Sequence, residues 1–127
     1  MTERTSRCCC GQLSVTVSGE PTINGICSCS DCKKRTGSAF GWQTHFADSG
    51  VIVVGESQQY TLDNGQVRNF CHRCGSTLFW SSPSFPEMTR LAAGNFDSDE
   101  LPLPKLSVQD HDRVSWIELP EDWVFHT

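Results

Sequence analysis

The sequence contains no segment that could enter or cross a membrane. Its apolar runs fall short of the roughly 20 residues that a spanning helix needs. The first seven residues also lack the apolar centre of a secretory signal peptide. Both absences predict a cytoplasmic protein, in a compartment where thiols stay reduced.

Positive charge is scarce as well. The 127 residues include 10 Lys and Arg against 15 Asp and Glu, which gives a formal net charge of −5. The one basic run, residues 33–35, is too short to follow a phosphate backbone, so no nucleic-acid partner is expected. Apolar residues make up 37% of the chain and charged residues 20%, a balance that indicates one globular domain over residues 1–127.

Long helical patterns, repeats and linkers are absent too. Ten Gly and six Pro separate short apolar runs, which is typical of β-strands joined by turns. One turn of helix is predicted over residues 30–36, capped by Ser30 or Asp31 and ended by Gly37. Loops are predicted over residues 81–87 and 97–104, and a hairpin turn at 63–65. The predicted strands cover residues 12–18, 23–26, 38–46, 51–54, 58–62, 66–70, 77–80, 90–93, 106–108 and 114–119. The aromatic residues expected to form the core, with one or two lining a pocket, are Phe40, Trp42, Phe46, Phe79, Trp80 and Trp116.

Cysteine, by contrast, is abundant. Eight cysteines in a reducing compartment, with C-x-C and C-x-x-C spacings at three places, indicate bound zinc rather than disulfides. Cys27, Cys29 and Cys32 fall within six residues, and no fourth Cys or His lies close by in the sequence. A zinc site with three protein ligands leaves its fourth position open for water or a substrate, so this cluster is predicted to be catalytic.

Four of the remaining cysteines can form a closed site. Pairing the C-x-C of Cys8 and Cys10 with the C-x-x-C of Cys71 and Cys74 gives four sulfur ligands, as in structural zinc sites. Such a site would join the first predicted strand to a zinc knuckle about sixty residues later. On an extended backbone Cys9 points away from its neighbours, so it is interpreted as a spare thiol.

Spacing alone leaves other arrangements open. Cys71 and Cys74 could instead be completed by the first two cysteines of the central cluster, which would leave Cys8, Cys10 and Cys32 as the three-ligand set. A thiol–disulfide enzyme is a further alternative, and about two zinc ions per chain would exclude it. A zinc-stabilised binding module without turnover is the main competing function, because a fold does not determine an activity.

The cysteine motifs and their flanking residues resemble those of a known family. The motifs are Cys8-x-Cys10-Gly11, Cys27-x-Cys29-x-x-Cys32 with residues 35–40, Phe70-Cys71-x-x-Cys74-Gly75-Ser76, and Ala93-Gly94. Together they are similar to the glutathione-dependent formaldehyde-activating enzymes, also called the centromere protein V-like family, from about residue 6 to residue 119. The resemblance implies a mainly β, Mss4-like fold, in which antiparallel sheets form a tent held together by zinc.

The resemblance also implies roles for the sulfurs and a reaction. It matches Cys8, Cys10, Cys71 and Cys74 to the structural zinc ligands, and the central cluster to the catalytic ones. The implied activity is that of a carbon–sulfur lyase, which joins glutathione and formaldehyde into S-hydroxymethylglutathione or splits the adduct. Zinc, two ions per chain, is the implied cofactor, and glutathione is the implied co-substrate.

Substrate contacts follow less directly from the sequence. Lys33 and Arg35 are predicted to attract the carboxylates of glutathione, with Arg35 favoured because its planar guanidinium suits carboxylates. His45 is interpreted as a surface or hydrogen-bonded residue rather than a group facing the zinc. One departure from the family concerns a C-terminal His and aromatic residue, since this chain has Ser107 and Gln109 at those positions.

Overall fold

The computed structural model describes residues 2–96 and 101–127, and the fold in these residues is mainly β, as expected. The helical elements are α1 (Ser30–Thr36) and three short 3-10 turns at Asp48–Gly50, Ala93–Asn95 and Asp110–Asp112. None of the described helices is long and apolar enough to cross a membrane. The strands are β1 (Glu3–Arg7), β2 (Ser14–Ser18), β3 (Ile23–Cys27), β4 (Gly41–Ala47), β5 (Val51–Val54), β6 (Ser57–Thr61), β7 (Val67–Cys71), β8 (Thr77–Ser82), β9 (Phe85–Ala92), β10 (Leu106–Val108) and β11 (Val124–Phe125).

The strands form two sheets. The smaller one has the order β1-β2-β5, and the larger one has the order β11-β10-β3-β4-β9-β8-β7-β6. Neighbours pair antiparallel, except that β10 runs parallel to both β3 and β11. The chain passes from the smaller sheet to the larger one between β2 and β3, returns between β4 and β5, and passes to the larger sheet again between β5 and β6, both of which are edge strands.

The main core uses side chains from both sheets. Leu13, Leu78 and Leu91 are fully buried, and burying each of them contributes about 1.5–3 kcal/mol. On β2 the predicted alternation is confirmed, because Val15 and Val17 are buried while Ser14, Thr16 and Ser18 are partly exposed. The same cluster also contains Cys8, Phe46, Cys71 and Phe96.

Helix α1 begins and ends close to the predicted positions, although its cap is a different residue. Cys29 is the N-cap, and its sulfur accepts a hydrogen bond from the backbone N–H of Cys32 at 3.4 Å. Prediction of Ser30 or Asp31 as the cap was therefore wrong, because a cysteine one position earlier occupies that place. Gly37 ends the helix in the left-handed conformation with φ 63°, as predicted.

Three other predictions of secondary structure were wrong. Strand β1 was not predicted, because its sequence is polar and its stability comes from pairing with β2. The segment 81–87 is not a loop: β8 continues to Ser82, which pairs with Phe85 across a tight turn. Residues 114–119 form no strand, and Trp116 is 73% exposed rather than part of the core. Of the predicted loop at 97–104, residues 97–100 lie outside the described residues, and 101–104 have no regular secondary structure.

Candidate metal centres and the adjoining cavity

The first sulfur cluster joins the two sheets. It consists of Cys8, Cys10, Cys71 and Cys74, whose sulfur atoms all lie within 4.8 Å of one another. The Cys8 and Cys10 sulfurs are 3.7 Å apart, and the Cys10 and Cys71 sulfurs are 3.6 Å apart. Four sulfurs bound tetrahedrally at about 2.3 Å from one zinc ion lie about 3.8 Å from each other. The spacing therefore fits a metal ion held by four cysteines.

Hydrogen bonds to the sulfurs of Cys71 and Cys74 favour their ionised form, whereas the pKa of Cys10 is raised to about 11, because a backbone hydrogen bond from Gln12 is outweighed by burial and by contacts with the other three thiols. Cys71 Sγ accepts hydrogen bonds from the Gln12 amide at 3.1 Å and from the Arg73 backbone N–H at 3.3 Å. The hydroxyl and backbone of Ser76 lower the pKa of Cys74 to about 5. Gly75 ends the knuckle turn with φ 80°, a conformation that glycine adopts without strain. The predicted knuckle thus supplies thiolates, which are the form that binds metal.

The second sulfur cluster contains only three cysteines. Cys27 ends β3, Cys29 caps α1, and Cys32 lies in the first turn of α1, so the strand-to-helix connection brings them together. Their sulfurs also lie within 4.8 Å of one another. In the described part of the chain, no His, Asp, Glu or further Cys joins them to complete a four-ligand set. The alternative partition of the cysteines is therefore wrong, because the two clusters use different residues.

The three thiols strongly affect each other's ionisation. Hydrogen bonds from Cys27 and Cys32 lower the pKa of Cys29, whereas the same contacts raise the pKa of Cys32. Burial adds to the increase at Cys32. One thiolate is thus stabilised at the expense of the others. A divalent cation would allow all three to ionise, so the cluster fits a bound metal ion.

A cavity of about 630 Å³ lies beside this second cluster. Its floor is one row of cross-strand partners on β3, β4, β9, β8 and β7, which we call the floor row. In that order the floor row comprises Ile23, His45, Arg90, Trp80 and Arg68. Neighbouring strands are about 4.8 Å apart, so the row extends over roughly 19 Å. Its walls come from α1, the turn after β6 and the C-terminal segment.

Three arginines concentrate positive charge in this cavity. The Arg35 guanidinium lies over the Trp80 ring at 4.4 Å, and that of Arg90 lies over the Phe85 ring at 4.8 Å. Burial lowers the pKa of both, while the nearby thiols act in the opposite direction. Arg68 donates a hydrogen bond to the Asp31 carbonyl at 3.2 Å.

None of the three arginines forms a salt bridge with a carboxylate of the described residues. Each also has at least one buried side-chain nitrogen without a hydrogen-bond partner. A chain with an excess of acidic residues thus leaves three cations unpaired around one cavity. Such an arrangement fits an anionic ligand, because unpaired buried charges are costly.

Two further polar side chains face the same space. His45 is 2% exposed, and its Nδ1 has no hydrogen-bond partner. Burial and the Arg90 charge lower the pKa of His45 to about 4, so the imidazole is neutral at pH 7. The Gln43 carboxamide accepts a hydrogen bond from the Cys32 thiol at 3.7 Å and also lines the cavity.

The other predicted residues lie at different distances from the site. Arg35 lines the cavity, but Lys33 points outward and donates a hydrogen bond to the Asp112 carbonyl at 2.6 Å. Cys9 is exposed and belongs to neither cluster, in agreement with its interpretation as a spare thiol. His45 is buried in the floor row of the cavity rather than at the surface.

At the C-terminal end of the site, Gln109 lines the cavity. Ser107 is buried and donates to Asp110. His126, for which the sequence gives no signal, also reaches the cavity.

Sequence reasoning missed Arg68 and Arg90. The two residues lie on strands whose register cannot be read from spacing, and although Arg68 stands three residues before Cys71, nothing in the sequence places it beside the other sulfur cluster. The available signal for Arg90 was its position next to the apolar residues 91–93 of a predicted strand, where a charged residue calls for a functional explanation.

Comparisons with known proteins agree with the cysteine pattern. The family model described as "Glutathione-dependent formaldehyde-activating enzyme" matches residues 3–111. A protein of Halomonas elongata named "Putative glutathione-dependent formaldehyde-activating enzyme" is 28% identical over 124 residues, which cover 88% of this chain and 78% of that protein. A solved structure of a Rhodobacter sphaeroides protein has a TM-score of 0.63 at 18% identity, covering 97% of this chain and 99% of its own, and so supports the fold alone.

Proposed function

Because the chain belongs to the glutathione-dependent formaldehyde-activating enzyme family, we propose that it is a zinc-dependent carbon–sulfur lyase. In this proposal it adds a thiol such as glutathione to formaldehyde or a related small aldehyde, and it also catalyses the reverse cleavage. The observation that carries the proposal is the three-sulfur cluster at the edge of a large cavity with unpaired cations.

The residues that would hold the metals follow from the two clusters. Cys8, Cys10, Cys71 and Cys74 would hold a structural zinc ion, and the three sulfurs beside the cavity would hold a catalytic one. Zinc held by Cys27, Cys29 and Cys32 would supply the positive charge that lowers the pKa of an incoming thiol, so that the nucleophilic thiolate would be available at neutral pH.

The protein's own groups position the reactants. In the forward direction the thiolate sulfur bonds to the carbonyl carbon, and the carbonyl oxygen takes up a proton to become a hydroxyl group. His45 lies in the floor row as a neutral imidazole, which can donate an N–H hydrogen bond to that oxygen. Gln43 supports Cys32 from the floor of the cavity. In reverse, the carbon–sulfur bond breaks and the hydroxyl returns its proton.

Glutathione would be held through its carboxylates. Of the two cations predicted to bind them, we retain Arg35, because it lines the cavity whereas Lys33 bonds to a carbonyl outside it. The Trp80 ring beneath Arg35 keeps its guanidinium flat and leaves the donor edges for a carboxylate. The eight free cysteines agree with a reducing compartment, which supports the prediction of a cytoplasmic protein.

The cavity argues against a module that only binds zinc for stability. A structural site has all four positions filled by protein ligands, as the first cluster has. The second cluster has three sulfurs and adjoins a space large enough for a tripeptide thiol.

The test is exchange spectroscopy with ¹³C-formaldehyde and glutathione. The uncatalysed rate is measured in buffer, and the expected result is faster exchange between free aldehyde and adduct when the zinc-loaded protein is present. Cys32→Ala should return the exchange rate to that of buffer, while Arg7→Gln on exposed β1 should keep it. A wild-type protein that binds glutathione and two zinc ions without faster exchange would be a binding module.

A further inference from the structure

The cations around the cavity fall into two groups. Arg35 lies on α1 with its guanidinium over the Trp80 ring, and Arg68 on β7 is the cross-strand partner of Trp80. Both contact the side of the cavity formed by α1 and Trp80. Arg90 is next to Trp80 in the floor row. It lies two strands from Arg68, so the two arginines are roughly 10 Å apart along the sheet. Burial lowers the pKa of Arg90, and the charges of the three thiols of the second cluster act in the opposite direction.

Arg90 has a separate polar setting. Its cross-strand partner is His45, and the Phe85 ring touches both, with a centroid distance of 4.9 Å to the imidazole. Arg90 Nε and His45 Nδ1 are both buried without a hydrogen-bond partner. A half-buried cation beside a neutral imidazole, both lining the cavity that the sulfur cluster adjoins, offers donors for a small group that carries negative charge close to its reacting carbon.

Formaldehyde makes no use of such a position. It has no charge, and its single oxygen needs only one or two hydrogen-bond donors. Glutathione has two carboxylates, for which Arg35 and Arg68 supply two guanidinium groups on the α1 side of the cavity. Arg90 is therefore not needed to bind either the thiol or a neutral aldehyde.

Building on the proposed function, we propose that the preferred electrophile is a small aldehyde with a carboxylate next to its carbonyl, and that Arg90 is the residue that selects it. The Arg90 guanidinium binds the carboxylate, and the imidazole of His45 faces the adjacent carbonyl oxygen. The carbon then lies toward the sulfur cluster, where the thiolate arrives. Glyoxylate is the smallest probe of this class.

The chemistry balances without a further reactant. The thiol loses its proton, its sulfur forms a bond to the aldehyde carbon, and the carbonyl electron pair moves to the oxygen. That oxygen takes up the proton, so the product is a thiohemiacetal that keeps the carboxylate unchanged. No atom is oxidised or reduced, and the reverse step releases the thiol and the oxo acid.

Exchange rates with glutathione can be compared for two ¹³C-labelled aldehydes of similar size, anionic glyoxylate and neutral glycolaldehyde. The wild-type protein should favour glyoxylate by about tenfold or more in kcat/KM. Arg90→Gln should reduce that ratio to near one, because it lowers glyoxylate exchange far more than glycolaldehyde exchange, and the Kd of glutathione is measured alongside. Arg90→Lys, which keeps the charge, should retain part of the preference, and Arg7→Gln should retain all of it.

A binding measurement makes the result independent of turnover. Glycolate is a carboxylate that cannot react, and its Kd can be measured by NMR titration of the glutathione-bound protein. Arg90→Gln should weaken glycolate binding about tenfold, with the melting temperature recorded to confirm that the variant is folded.

Several results would overturn the inference. Equal wild-type rates for the two aldehydes, an equal loss for both in Arg90→Gln, or a loss of glutathione affinity in that variant would each do so. If no aldehyde exchanges at all, the proposed function fails. Arg90-dependent glycolate binding would then still establish the anion site, and its absence would refute that site too.

Discussion

Removing one sulfur from each cluster should have very different effects on stability. The four-cysteine cluster connects Cys10 to Cys71, which are 61 residues apart. Closing a loop of that length restricts the unfolded chain by roughly 4 kcal/mol on the chain-entropy scale used for cross-links. Domains of this size have a total unfolding free energy of about 5–15 kcal/mol, so Cys74→Ala should leave the protein marginally stable.

Cys32→Ala should cost much less. The three-cysteine cluster spans only residues 27–32, so its metal restricts little of the unfolded chain, and the loss of one small side chain costs about 1 kcal/mol. The substitution should instead abolish thiol binding and exchange.

Urea unfolding of the zinc-loaded variants, followed by circular dichroism, measures both effects. At a slope of about 2 kcal/mol per molar urea, Cys74→Ala should shift the midpoint by roughly 2 M and Cys32→Ala by roughly 0.5 M. Equal shifts would refute the division into a structural and a catalytic site.

Three further predictions concern single residues. The pKa of His45 is lowered to about 4, below its value of about 6.5 in the unfolded chain. The stability that the neutral His45 contributes is therefore complete above pH 6.5 and is lost as the pH falls toward 4, by up to about 3 kcal/mol. His45→Gln should flatten this part of the curve of unfolding free energy against pH, and an unchanged curve would contradict the lowered pKa of His45. Gly41→Ala would place a methyl group 2.5 Å from Arg35 Nη2, so it should weaken glutathione binding severalfold in calorimetry, whereas Gly94→Ala, with open space around it, should not. Cys9→Ser should keep two zinc ions per chain by elemental analysis, and a loss of one ion would show that Cys9 is a ligand.

Local sequence patterns predicted the parts of the fold that depend on local interactions. The limits of α1, the left-handed Gly37 and the knuckle at Gly75 follow from residue types that suit one backbone conformation. The composition of the two sulfur clusters also agrees with the sequence, because C-x-C and C-x-x-C spacings restrict which sulfurs can meet. The resemblance to a family resolved the remaining choice between partitions.

Features that depend on pairing between distant strands could not be predicted from the sequence. The floor row requires the register of four strand pairs, and none of these can be read from the residues alone. The segment 114–119 was wrongly predicted as a strand. Its residue pattern resembles one, but the edge of β10 pairs with β11 instead. Arg113 donates to the Ile117 carbonyl at 2.6 Å, which holds this segment in a turn.

Since the floor row takes one side chain from each of five adjoining strands, its members can change independently during evolution. A single codon replacement at position 90 or 68 alters the charge facing the cavity, while the sulfurs on β3 and α1 keep their place. Relatives with identical cysteines can therefore diverge in the compounds they act upon. The residue at position 90 would therefore distinguish such homologues by the aldehyde they act on better than the cysteine motifs would.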